Sequence, residues 1–129
     1  MQFTLNFNIE PSENKISIQS NIFTIGSCFA DVVGNQLVEN KLKATVNPFG
    51  TVFNPISIFK LLNQSLQNTA INEKHILENE GTYFHYDFHS QNNNLSKNEL
   101  QLSLEKLQIE VGEKLQKTDF LILTLGTAF

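Results

Sequence analysis

Residues 119–129 read Asp-Phe-Leu-Ile-Leu-Thr-Leu-Gly-Thr-Ala-Phe, a nearly unbroken apolar run. A strand with water on one side alternates apolar and polar side chains. A run apolar at almost every position instead fits a strand covered on both faces, the environment of a parallel sheet with helices above and below. The run therefore predicts a strand over Phe120–Leu125 inside an α/β domain. Such a strand normally continues into a crossover helix and a further strand. Residues 1–129 are thus expected to be the N-terminal part of a single domain, incomplete on the C-terminal side; a small domain whose last strand is a sheet edge is the alternative.

The rest of the chain supplies matching parts. Phe3, Leu5, Phe7 and Ile9 alternate with polar residues and predict a strand or extended arm closed by Pro11. Ile16 to Ile25 gives a second β-type run ending in Gly26, after which Phe29, Val33 and Leu37 recur at helical spacing with Asp31 in the first turn. Ala44 to Val46 is a short strand, and Asn47-Pro-Phe-Gly50 is a turn. Asn54 is an N-cap with Pro55 at the first helical position, and Ile58, Leu62 and Leu66 form that helix's stripe. The Asn-rich region 67–95 reads as an insertion or long connection bearing a small hairpin around Gly81–Ser90. Ser96 and Glu99 have capping-box spacing ahead of a helix marked by Leu100, Leu104, Leu107, Val111 and Leu115.

Composition excludes several function classes. The nine basic residues are all Lys and the net charge is -4, so no Arg is available for bidentate phosphate contacts and no nucleic acid partner is expected. The single Cys28 leaves no internal disulfide, and Met1–Ile9 has neither a basic nor a continuous apolar leader segment. No membrane association is expected, the expected location is cytoplasmic, and the sequence does not fix an oligomeric state.

Ligands of open parallel sheets bind beyond the carboxyl ends of the strands. Ile25-Gly-Ser-Cys-Phe-Ala30 places Ser27 at a helix N-terminus, where a hydroxyl serves either as a nucleophile or as an ordinary N-cap. Cys28 is a rival nucleophile or a small packed residue. Gly50 could present an N–H to an oxyanion, with Asn47 or Asn54 adding a side-chain amide, or the segment is a turn and cap. Gly126 and Thr127 close the last strand beside the same place. His85 and His89, four apart on a non-helical stretch, have no assured common facing; His89 is read as a pocket or acid/base residue, His75 as a solvated surface residue, and no metal site is expected.

Four segments in order, Gly26-Ser-Cys-Phe-Ala30, Asn47-Pro-Phe-Gly50 with Asn54-Pro55, Asp87-Phe-His-Ser90 and Thr124-Leu-Gly-Thr127, resemble characteristic segments of the GSCFA family, whose name is the first motif. The resemblance covers nearly the whole chain but only the front part of a family member. GSCFA proteins are related to SGNH/GDSL hydrolases, which implies a flavodoxin-like three-layer sandwich around a parallel sheet and ester hydrolysis by a serine with a distant histidine. It implies Ser27 as nucleophile and Gly50 as the oxyanion glycine, with no cofactor. Two departures stand out: Ala128 occupies the place of the oxyanion asparagine, and the late Asp/His pair does not occur within these 129 residues. The expected function is an esterase or O-deacetylase acting on a small or carbohydrate ester. The alternatives are a non-catalytic carbohydrate- or acyl-binding domain of the same fold and, last, a thiol enzyme using Cys28.

Overall fold

A computed structural model describes residues 7–126. Three parallel strands form the central sheet in the order β2-β1-β6, where β1 is Asn21–Gly26, β2 is Lys43–Val46 and β6 is Phe120–Thr124. The register pairs Ile22 with Ala44 on one side and with Phe120 on the other, and Gly26 lies opposite Thr124. Three helices accompany the sheet: α1 (Cys28–Glu39), α2 (Pro55–Gln67) and α3 (Lys97–Gln116). The protein is α/β, as the strand and helix periods predict.

β1 is covered on both faces because its side chains alternate. Phe23 and Ile25 enter the main core with Ile58 and Leu61 of α2 and Leu100, Leu104 and Val111 of α3. Thr24, pointing the other way, donates from its hydroxyl to the Ala30 carbonyl of α1 at 3.1 Å. α1 comes down on this face through its small residues, Ala30 and Gly34 being its buried positions. A β-carbon at Gly34 would collide with Val46 and Thr24. Here the expected stripe is displaced: Phe29 is 61% exposed, and Val33 and Leu37 are only half-buried. Apolar spacing found the helix, but close approach to the sheet selected its small face.

α2 and α3 follow their sequence signals more closely. The Asn54 side chain accepts from the Ile56 N–H at 2.8 Å with Pro55 next, and the Ser96 side chain accepts from the Glu99 N–H at 3.4 Å. Leu66 is exposed, however, and Leu61 and Ser65 take inward places on α2. Gly112 of α3 sits against the Ser65 backbone carbonyl, leaving no room for a side chain between the two helices.

Other expectations require correction. Ile16 and Ile18 are exposed, because residues 17–20 form a turn closed by Ser20 N–H donating to the Ser17 carbonyl at 3.1 Å, and the strand begins only at Asn21. Phe7 and Ile9 are exposed and outside any strand; Phe3 and Leu5 lie outside the described residues. β6 pairs only with β1 among the described residues, so it is an edge here, with Leu121 and Leu125 exposed rather than buried.

Region 67–95 holds a hairpin, but it lies earlier than expected: its strands meet across Glu80–Gly81, and residues 86–90 form no strand. After a 3-10 turn at Glu73–His75 come β3 (Ile76–Asn79), β4 (Thr82–His85) and β5 (Asn93–Asn94), an antiparallel sheet in that order. The region is also tied to the main core. Ile71 and Phe88 are buried there, and Phe88 meets Phe49 edge-on with ring centres 5.8 Å apart.

Candidate active site

The chain leaves β1 towards β2 on one side and returns to β6 on the other, so the topological switch point lies between the ends of β1 and β6. Ser27 and Thr124 stand at that point. The Ser27 N–H donates to the Thr124 carbonyl at 2.9 Å and lies 3.0 Å from the Thr124 hydroxyl, and the two hydroxyls are 3.0 Å apart. Ser27 is also the N-cap of α1: its Oγ accepts from the Phe29 N–H at 3.3 Å, and the residue is half-buried. The positive end of the helix thus faces this oxygen.

Gly26 makes the turn possible. Its φ of +140° suits glycine, and a β-carbon would overlap the Thr124 carbonyl. Asn47, at the end of β2, locks the turn from the other side. Its Oδ1 accepts from the Gly26 N–H at 2.8 Å, while its Nδ2 donates to the Ser27 carbonyl at 3.3 Å and to Asp31 Oδ1 at 2.9 Å. Asn47 is buried and its φ of +36° lies in the left-handed region that asparagine tolerates. The following loop is pinned to the same turn, because Val52 N–H donates to the Gly26 carbonyl at 2.8 Å.

The residues expected at the site are therefore gathered, but in particular roles. The hydrogen-bonding capacity of the Asn47 amide is spent on holding the turn, and the Asn54 amide oxygen is spent on capping α2. The Gly50 N–H donates to the Asn47 carbonyl at 2.8 Å, and the Ser27 N–H is engaged by Thr124, so neither is an unengaged donor beside Ser27 Oγ. The Cys28 N–H, first in α1, has no acceptor among the described residues. Gly126 packs on Phe53 and donates to its carbonyl at 3.3 Å; Thr127 lies outside the described residues.

Gly50 matters through contact. With φ at +82°, it lies so close to His89 and Gln91 that a β-carbon would come within 2.8 Å of the His89 Cβ. His89 accepts from the Gln91 N–H at its Nδ1, 3.2 Å away, which leaves Nε2 as its donor nitrogen. Residues 51–54 and Ser57 on one side and 86–89 on the other line a cleft of about 280 Å³. His89 is placed in that cleft and does not pair with His85.

His85 pairs instead with His75, their ring centres 5.6 Å apart, around Asp87. The Asp87 carboxylate takes the Lys60 ammonium at 2.7 Å and His75 Nδ1 at 2.9 Å. His75 is thus more than the solvated surface residue expected: its side chain, although 38% exposed, is hydrogen-bonded to the Lys60–Asp87 ion pair, a partnership hidden by the 12-residue separation. His85, 3% exposed, donates from Nε2 to the Asn72 carbonyl at 3.1 Å and accepts at Nδ1 from the Asp87 N–H at 3.2 Å, so it is the neutral Nε2–H tautomer. Burial pushes its pKa down; the hydrogen bond to Asn72 and the charge of Asp87 oppose this, and His75 and Lys60 add to it. For Asp87, burial alone pushes upward, but hydrogen bonds from Lys60 and His75 and their charges outweigh it and hold the carboxyl below its usual value.

The geometry now bears on the family motif, since Gly26, Ser27, Ala30 and Asn47 each have a role that another residue type would not fill in the same way. The GSCFA family model matches residues 21–129. The chain belongs to the GSCFA family. No curated protein and no solved structure matches this GSCFA chain. No helix of the described residues is long and apolar enough to cross a membrane. Sequence reasoning missed Thr124 as the partner of Ser27, although a polar residue inside an apolar strand was a usable signal. It also missed the Lys60–Asp87–His75 network, for which no local spacing gives a signal.

Two outcomes are expected. Asn47→Ala removes the acceptor of a buried N–H and loses the side chain that suits a left-handed turn, so the unfolding free energy in urea is expected to fall by about 2–3 kcal/mol; a loss under about 0.5 kcal/mol would contradict the clamp. Because the folded pKa of His85 lies below its usual 6.5, the unfolded chain binds the proton more readily. The stability tied to His85 is complete above that value and is lost as the pH falls through it towards the folded value. Between pH 7.5 and 5.5, in buffer with a chelator, wild type is expected to lose more urea resistance than His85→Gln; equal losses would refute this.

Proposed function

We propose that this GSCFA chain carries the nucleophile of an SGNH-type serine hydrolase, an esterase or O-deacetylase acting on a small or carbohydrate ester. The observation that carries the reading is the half-buried Ser27 hydroxyl at the N-terminus of α1, at the switch point of the sheet. Family membership supports it, through the resemblance of GSCFA proteins to such hydrolases. In this reading the sheet continues into the flavodoxin-like sandwich of those enzymes.

Ser27 Oγ attacks the acyl carbon, its proton passes to a general base, and the carbon becomes tetrahedral with the former carbonyl oxygen as an oxyanion. The Cys28 N–H and the helix terminus stabilise that charge, in place of the Ser27 and Gly50 amides. Thr124 holds the serine rotamer through the paired hydroxyls. The resemblance to SGNH enzymes implies a histidine as the general base; among the described residues the partners of Ser27 Oγ are Thr124 Oγ1 and the Phe29 N–H. Alcohol departs, and water attacks the acyl-serine to release the acid. The cleft beside Val52 offers Phe53 and Tyr86 for a sugar face and Asn54 and Ser57 for hydroxyls.

One observation favours the second reading, a non-catalytic carbohydrate- or acyl-binding domain: Ser27 Oγ already satisfies a helix cap, and two expected oxyanion donors are engaged. A fluorophosphonate probe separates the two. The full-length protein is expected to be labelled at Ser27 and Ser27→Ala to be unlabelled. Labelling that persists in Ser27→Ala would remove Ser27 as nucleophile, and ligand binding without labelling, indifferent to that substitution, would establish the binding domain.

A further inference from the structure

We propose that His75, His85 and Asp87 form a site for one first-row divalent cation of the kind that accepts imidazole nitrogen, such as zinc. The site lies on the antiparallel hairpin and is independent of the hydrolase reading. One ligand atom from each of the three residues falls within 4.8 Å of the others. His75 Nδ1 and His85 Nδ1 are 2.9 Å and 3.9 Å from Asp87 Oδ2. A tetrahedral zinc ion with bonds of about 2.0–2.2 Å holds its ligand atoms roughly 3.3 Å apart, so moderate side-chain rotations complete three corners.

The backbone prepares this arrangement. Ile76, beside His75, pairs across the hairpin with His85, and Tyr86 N–H donates to the His75 carbonyl at 2.9 Å. His85 is turned the right way by the bond that a metal-binding imidazole usually makes: its Nε2–H donates to the Asn72 carbonyl, and its Nδ1 faces the cluster, where it accepts from the Asp87 N–H at 3.2 Å, a bond that metal binding would replace. The His75 side chain is 38% exposed and offers an entry path, while the Asp87 side chain is 11% exposed and excludes most water. Two imidazoles and one carboxylate select a borderline ion over magnesium or calcium, which prefer oxygen.

Lys60 is the competing cation. It contacts both Asp87 oxygens at 2.7 Å, so the carboxylate would keep Lys60 on Oδ1 and turn Oδ2 to the metal, or release the lysine to solvent. Binding also displaces the Nδ1 proton with which His75 now meets Asp87.

Calorimetric titration of the full-length protein with zinc chloride, in a non-coordinating buffer near pH 7.5, tests this. One equivalent is expected to bind, with affinity at least tenfold weaker in His75→Ala and stronger in Lys60→Met. Cobalt(II) added to wild type is expected to give the visible absorption of a four-coordinate ion, a readout that needs no variant. The exposed Cys28 is controlled by Cys28→Ser. Failure of zinc to bind stoichiometrically, zinc affinity unchanged in His75→Ala, binding lost with Cys28→Ser, or a cobalt spectrum of the hexaaquo ion would each overturn the site.

Discussion

One buried amide joins the ends of two strands to the start of a helix. Asn47 leaves β2 in a left-handed conformation, and its side chain accepts from Gly26 and donates to the Ser27 carbonyl and to Asp31 of α1. Without that clamp the turn after β1 would have a buried N–H with no partner, and the direction of α1 would be less fixed. The position of the Ser27 hydroxyl follows from this, with Thr124 on β6 holding it from the opposite side. The same few hydrogen bonds thus close the sheet at its carboxyl edge and set up the place on which the hydrolase reading rests.

The features that make the site rigid also limit which groups can react. A serine that caps a helix and a glycine that closes a turn have already used their amides, so in the hydrolase reading a developing negative charge is left to the Cys28 N–H, which has no acceptor among the described residues, and to the helix dipole. The hairpin region contributes a second set of constraints. Phe88 plugs into the core beside Phe49 while Asp87, its neighbour, gathers Lys60 and His75, so the cleft wall and the ion network are consecutive residues of one segment. Region 67–95 thus contributes Ile71 and Phe88 to the domain's core.

Much of this was legible in the sequence where the signal is local. Pro55 after Asn54, and Ser96 three residues before Glu99, named two helix starts correctly, because capping is decided by atoms within one turn. The change from strand to helix period at Gly26-Ser27 placed the nucleophile candidate at the helix N-cap. The long-range results were not legible. Phe29 looked like a core residue, but the sheet admits only Ala30 and Gly34 at that distance. The isoleucines at 16 and 18 have β propensity but are exposed and pair with no strand among the described residues. His75 and Asp87 meet only because the hairpin folds back, and the engagement of the Gly50 amide depends on a turn whose hydrogen bond no residue type announces.

The account rests on a hydroxyl at the start of α1 that can form a covalent bond while the helix terminus receives the resulting charge. A crystal structure of the full-length protein after treatment with a small phosphonate ester tests it most directly. The expected density joins phosphorus to Ser27 Oγ and places a phosphonyl oxygen within hydrogen-bond distance of the Cys28 N–H. Unmodified Ser27 still capping α1, or an adduct whose oxygen turns away from the helix into solvent, would contradict it.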